Sequence, residues 1–275
     1  MLTQFRISLL LFLLALSSTS ISQNLYDNAN SREFAEYLFR TGQYDLSAIE
    51  IERLIFVDKT DDSLKAKLIR SYTLNKQYTV ATKRIQTFFP ETSKLYYPFS
   101  DFYTYNLLAD KKIDAAKSFL SSNQSLPENK RQRYQAFTFL LDHDFKGSEA
   151  YLAGLPAESQ VPLRELSAEG IHMKHKSPGL AMAMSAVVPG TGRFYTGDWK
   201  DALISMLTIG VTGFQAYRGF TIKGTKSAYG WVYGTIATGF YLGNIYGSYS
   251  SAKRYNKRKM DKLDQKIDGA FYLVP

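Results

Sequence analysis

The sequence predicts an all-α protein, with a run of helix–turn–helix units first and a membrane-embedded helical hairpin, preceded by a short half-helix, after it. Three observations carry this. A turn element recurs four times at a near-constant interval. Three uncharged apolar stretches lie in the last third of the chain. The excess positive charge is confined to that same third.

The recurring element is GQYDLSA at Gly42, which returns as KQYTVAT at Lys76, DKKIDAAKSFL at Asp110 and DFKGSEAYL at Asp144. Tyr44, Tyr78, Ile113 and Phe145 occupy one role, and three residues past each comes a small residue, Ser47, Ala81, Ala116 or Ser148. The larger residue is expected to pack between the two helices of a unit. The small one lets the second helix approach closely. Asn30 with Glu33 reads as a capping box opening the first helix. Phe34, Leu38, Leu46, Ile49 and Leu54 then follow at helical spacing around a break at Gly42. Only the first unit has glycine at its turn; Lys76, Lys112 and Asp144 are read in that place in the others.

A repeat close to 34 residues resembles the tetratricopeptide repeat. The resemblance covers about 130 residues in four units and extends to Ala35 and Ala136 at the family's small position. Leu38, Tyr72, Leu107 and Phe139 match its large apolar position. It departs in lacking the family's Trp and the closing proline, and an irregular helical bundle that echoes the period is the alternative. The resemblance implies a solenoid over residues 23–170 whose groove takes a peptide or protein partner.

Residues 1–22 read as a secretory signal peptide. Arg6 is the positive residue, Ile7 to Leu16 the apolar run, and Ser20 and Ser22 the small residues before Gln23. An uncleaved anchor is the alternative. Either one puts the repeat region outside the cytoplasm, on a cell membrane whose identity, inner or outer, is open.

The membrane module is expected at 178–252. Gly179–Gly192 is uncharged but short and ends at Pro189-Gly190, hence a half-span. Ala228–Ala252 is uncharged and long enough to span, and the uncharged Ala202–Tyr217 is expected to span by extending to Ile222 with tilt. Gly230, Gly234, Gly239, Gly243 and Gly247 sit at spacings that favour close helix packing. Between the first two stretches lies a polar loop of Pro189, Gly190, Gly192, Arg193, Phe194, Tyr195, Gly197, Asp198 and Trp199. It is expected at the headgroup level, with Arg193 and Lys200 reaching phosphates. An alternating β reading of these strings is the alternative, but two strands cannot close a barrel except through oligomerisation.

The loop string PGTGRFYTGDWKDAL resembles the small two-transmembrane-helix domain family. It is still more similar to a group of bacterial envelope proteins with a Pro-Gly-x-Gly-x-Phe-Tyr-x-Gly-Asp-Trp-Lys-Asp loop and a later Gly-Asn-Ile-Tyr-Gly-Ser, here Gly243 to Ser248. Links of that group to the membrane-protein insertion efficiency factor family imply a part in membrane or envelope protein assembly.

The chain has 34 Lys+Arg against 25 Asp+Glu. Residues 1–169 hold 20 of each, so residues 170–275 carry 14 against 5. Six of the basic residues fall between Lys253 and Lys262, in the basic tail at 253–275. Positive charge bordering apolar stretches suits anionic lipid headgroups, not nucleic acid. Twenty Tyr and 18 Phe exclude a disordered chain.

Chemistry is sparse. With no cysteine, disulfides, thiolate metal sites, cysteine nucleophiles and an acylated lipoprotein cysteine are excluded. His172 and His175 lack a third ligand, and His143 stands between Asp142 and Asp144. No nucleophile elbow or phosphate loop occurs. The expected spans hold no Asp, Glu, Lys or His for an ion pathway. The reading is therefore a non-enzymatic interaction scaffold without cofactor or metal. The alternative is an oligomeric channel built from the glycine-rich hairpins.

Overall fold

A computed structural model of the chain describes residues 27–158 and 160–272. The expected targeting segment at 1–22 lies outside the described residues. Those residues form thirteen α-helices and two short 3-10 turns, with no strand among them. The chain divides into two compact units at Tyr134.

The first unit holds α1 (Asn28–Arg40), α2 (Tyr44–Val57), α3 (Asp62–Leu74), α4 (Tyr78–Phe88), α5 (Phe99–Ala109), α6 (Ile113–Ser122) and the first half of α7 (Glu128–Leu141). Each helix packs on the next, from α1 through α6 as far as these pairs reach. Tyr44, Tyr78 and Ile113 each form the first residue of the second helix of a pair, and Ser47, Ala81 and Ala116 are fully buried. A side chain larger than Ala or Ser there would push the paired helices apart. The Ser47 hydroxyl also donates to the Ala35 carbonyl, 3.0 Å away.

The turns share one backbone solution. The residue two before each second helix takes the left-handed conformation, φ 78° at Gly42, 58° at Lys76 and 56° at Lys111. The following amide then reaches back to Leu38, Tyr72 or Leu107 at 2.8–2.9 Å, as in a Schellman cap. This corrects one assignment, since the turn position of the third pair is Lys111, not Lys112. A lysine in this conformation costs about 1 kcal/mol that glycine avoids.

Two further expectations are corrected. No capping box forms at Asn30, because α1 begins earlier, with Asp27 as its N-cap and Asn30 already helical. Of the apolar periodicity, Leu38 and Leu54 enter the core with Ala35, Ala48, Ile51 and Leu68, whereas Phe34, Leu46 and Ile49 stay exposed. Helical spacing cannot distinguish a stripe that meets a neighbour from one that does not.

The second unit holds the rest of α7, α8 (Phe145–Ala153), α9 (Val161–Ile171), α10 (Pro178–Val187), α11 (Thr191–Thr196), α12 (Trp199–Lys223) and α13 (Ala228–Tyr272). The α7–α8 turn repeats the same geometry, with His143 at φ 59° and Asp144 N donating to Phe139 O at 3.0 Å. The turn residue is again one earlier than expected, His143 instead of Asp144. Asp144 caps α8 through Gly147 N, and Phe145 and Ser148 are buried. Ser148 and Ser167 share a buried hydrogen bond of 2.7 Å between α8 and α9.

Helices α12 and α13 form an antiparallel hairpin closed by a 3-10 turn at Gly224–Lys226. Among the described residues no helix is long and apolar enough to cross a membrane. The expected polar loop is in part helical, as α11. The basic tail is no separate segment, because α13 runs unbroken through Lys253 to Tyr272, 45 residues or about 68 Å. Its far end buries Leu263, Ile267 and Phe271 at four-residue spacing. There Phe271 meets Phe137 edge-on at 5.1 Å, Asp264 pairs with His143 at 2.8 Å and Lys266 with Glu169 at 2.7 Å.

The shared turn makes opposite substitutions distinguishable. Lys76→Gly is expected to raise stability by about 1 kcal/mol and Gly42→Ala to lower it by a similar amount, while Ala81→Leu costs about 1–3 kcal/mol. Urea unfolding midpoints read all three. In the first unit, hydrogen bonds from Lys67, Arg32 and Lys65 hold Glu36, Asp61 and Asp62 respectively below the usual carboxylate range. Carboxyls depressed in the folded state contribute stability above an unfolded value near ~4 and lose it as pH falls through their folded values. Unfolding midpoints are therefore expected to fall steeply below about pH 4. Asp61→Asn should flatten that fall.

Candidate functional site

The densest polar arrangement in the second unit lies where one face of α13 meets α10 and α11. At four- and three-residue steps α13 presents Asn244, Ser248 and Ser251, all buried. Asn244 accepts from Gly190 N at 3.2 Å and donates to Ser185 O at 3.4 Å. Ser248 shares a hydrogen bond with Ser185 at 2.6 Å, and Ser251 one with Thr196 at 2.6 Å. Ser251 also donates to the Asp198 carboxylate. Five residues past Ser251, Asn256 clamps both the amide and the carbonyl of Lys176 at 2.8 Å. Asn and Ser are poor helix formers, so their regular placement on one face reflects this pairing.

The loop residues fit that seam. Pro189 follows the last residues of α10, and Gly190 turns the chain at φ 90°. A Cβ on Gly190 would stand 2.6 Å from Ala202 O. Gly192 comes so close that a Cβ would overlap Ala181 O, while its amide donates to Ser185 at 2.9 Å. Gly197, at φ 86°, ends α11. Tyr195 accepts from Ser177 N and lies under the Lys176 ammonium, 4.5 Å from its ring centre. Phe194 and Trp199 are exposed.

Arg193 departs from expectation. Its side chain is four-fifths buried, turned inward beside Asp201 at 3.7 Å. The lack of a side chain at Gly247 makes room for the guanidinium. It braces the loop instead of reaching outward. Asn244 and Ser248 lie in the Gly243–Ser248 string that carries the family resemblance, but the sequence reading gives them no packing role, and Ser251 is not in it. Their four- and three-residue steps within an apolar helix are the signal that could have found them.

The glycines of α13 divide into two sets. Gly230 meets Gly219 and Phe220 of α12, and Gly234 lies near Phe220 and Ala216, so these and Gly247 serve packing inside the chain. Gly239 and Gly243 face open space and take no part in packing within the chain.

The large apolar side chains of the hairpin point outward. Ile204, Leu207, Val211 and Phe214 on α12, and Trp231, Val232, Phe240 and Leu242 on α13, are about half to two-thirds exposed. The buried residues of α12 are only Ala202, Ala216 and Gly219. Where the uncharged run of α13 ends, Arg254 and Arg258 project beside the start of α12. There they line a cleft of about 350 Å³ with Asp198, Trp199, Lys200 and Asp201.

Among the described residues no three His, Cys, Asp or Glu side chains come together as a metal set. His172 and His175 lie at and just beyond the end of α9. Compared with protein-family models, curated proteins and solved structures, the chain matches none.

Gly192→Ala is expected to cost about 2–4 kcal/mol, since backbone atoms on both sides must shift. Gly239→Ala, in open space within a helix, should be neutral or stabilising by up to ~1 kcal/mol. Thermal unfolding of the full chain in detergent, followed by near-ultraviolet circular dichroism, separates the two.

Proposed function

We propose that this protein is a membrane-anchored interaction scaffold of a bacterial cell envelope. In this reading the α12–α13 hairpin sits in lipid. Tetratricopeptide-like helix pairs of the same chain hold a protein or peptide partner during membrane or envelope protein assembly. The supporting observation is the inverted distribution of the hairpin. Ser185, Asn244, Ser248 and Ser251 are buried, while Ile204, Leu207, Phe214 and Leu242 are exposed. In water each such apolar side chain would gain on the order of 1 kcal/mol by burial. In hydrocarbon, inward polar and outward apolar side chains are the favoured arrangement.

Mean hydropathy does not register this, because tyrosine, threonine and glycine dilute both helices. The 25 uncharged residues from Ala228 to Ala252 rise about 37 Å, enough for a ~30 Å core. Lys223 and Lys226 lie at the tip and Lys253, Arg254, Lys257 and Arg258 at the base, with Arg218 one turn in from the tip and Arg193 turned inward against Gly247. The far end of α13 packs on α9, so tail and last repeat helices share one side of the hairpin, as two spans require. For the repeats, Phe34, Tyr37 and Phe56 remain exposed as apolar contact surface.

Exposed Gly239 and Gly243 favour a second reading, self-association of hairpins into an oligomeric pore.

Full-length protein is expected to float with liposomes and resist alkaline extraction, and Ile204→Asp with Leu207→Asp and Phe214→Asp to abolish both. Extraction of the unaltered chain by alkali would overturn the anchor. Cross-linking in native membranes should capture an envelope protein in a manner lost with Phe34→Ala and Tyr37→Ala. Recovery of only a discrete oligomer of the chain would instead favour the pore.

A further inference from the structure

The geometry points to one discrete binding site for a phosphate-bearing anion in the cleft between Lys200 and the Arg254–Arg258 pair, filled by the headgroup of an anionic phospholipid. The lipid source rests on the anchored reading above; the phosphate chemistry does not.

Arg254 and Arg258 stand four residues apart and so project from one face of α13. Across the cleft Lys200 lies beside the exposed Trp199 ring, 5.7 Å from its centre. Asp198 lies 3.5 Å from Arg258 and 4.0 Å from Arg254, and its carboxylate is also held by the Ser251 hydroxyl. These are long contacts to one edge of each guanidinium. A guanidinium carries five N–H donors, so most are left for a second anion. Asp198 thus aims both arginines without saturating them. The other acidic residue of the lining, Asp201, is offset by Arg193.

Two guanidinium forks and an ammonium around a cleft of about 350 Å³ match the tetrahedral oxygens of a phosphate ester, which arginine binds in bidentate fashion. Depth selects the source. Arg254 is the second residue beyond Ala252, where the uncharged run ends, and Trp199 is a residue type that settles at headgroup level. A lipid phosphate at that depth meets the cleft without leaving the bilayer.

Full-length protein in nanodiscs of phosphatidylcholine containing phosphatidylglycerol is released and weighed by native mass spectrometry. One retained phosphatidylglycerol per chain is expected. The variant Arg254→Gln/Arg258→Gln should bind roughly tenfold or more weakly, and Lys257→Gln/Lys262→Gln, exposed lysines outside the cleft, should bind unchanged. Equal loss in both variants, or adducts that never saturate at one, would overturn the site in favour of diffuse charge. Inorganic phosphate is titrated into the detergent-solubilised chain carrying Trp231→Phe, with Trp199 fluorescence as readout. Saturable phosphate binding lost with the arginines, without lipid retention, keeps the phosphate site but assigns it to a soluble source; binding of neither overturns it. Liposome flotation of the arginine variant reads anchoring separately, and unfolding curves report its folding.

Discussion

The hydrogen-bonded seam along one face of α13 is the constraint on which the second unit depends. Asn244, Ser248 and Ser251 draw their partners from α10, the Gly190 turn and α11, so one helix face fixes three short pieces of chain. The pairing is mostly hydroxyl to hydroxyl or amide to carbonyl, and Asp198, at its edge, is met by Arg254 and Arg258. Gly190 and Gly192 are there because the backbone must come close enough for these short donors to reach. In a low-dielectric setting such fully paired groups are strong and their loss is costly.

The seam leaves the apolar side chains nowhere to go but outward. Small residues lie between α12 and α13 and polar ones against α10, while Ile204, Leu207 and Phe214 stand exposed. The proposed lipid covering would account for an apolar exterior over a polar interior. Continuity of α13 then carries a mechanical consequence. The helix that forms half of the hairpin also buries Leu263, Ile267 and Phe271 against the last repeat helices, so the two are joined by one helix without a linker.

Much of the repeat region was legible because its signal is local. A left-handed turn residue, a large residue opening the next helix and a small one three positions on recur in the primary sequence. The assignment slipped by one residue at Lys111 and His143, since glycine marked that conformation only in the first unit and lysine or histidine adopts it under tertiary constraint. The exposure of Leu46 and Ile49 was not legible, because periodicity gives a face and not its neighbour. In the hairpin region the loop string joins α13 through Thr196 and Asp198, which both meet Ser251. However, glycine spacing alone does not separate Gly239 and Gly243, which meet nothing within the chain, from Gly230 and Gly234, which do, and it does not mark the Asn–Ser–Ser face next to them. The helical continuation past Lys253 was hidden by charge, which described solvation and not secondary structure.

The central claim is that the hairpin is covered by lipid, and the absence of cysteine makes it directly measurable. Single cysteines placed at Ile236 and Leu242 on the apolar run, and at Thr225 and Lys257 at its two ends, are labelled with a water-soluble maleimide in liposomes. Rapid labelling at Thr225 and Lys257, in vesicles opened to reach both faces, with protection at Ile236 and Leu242 that detergent or unfolding removes, is the predicted result. Rapid labelling at all four positions in intact bilayers would contradict it.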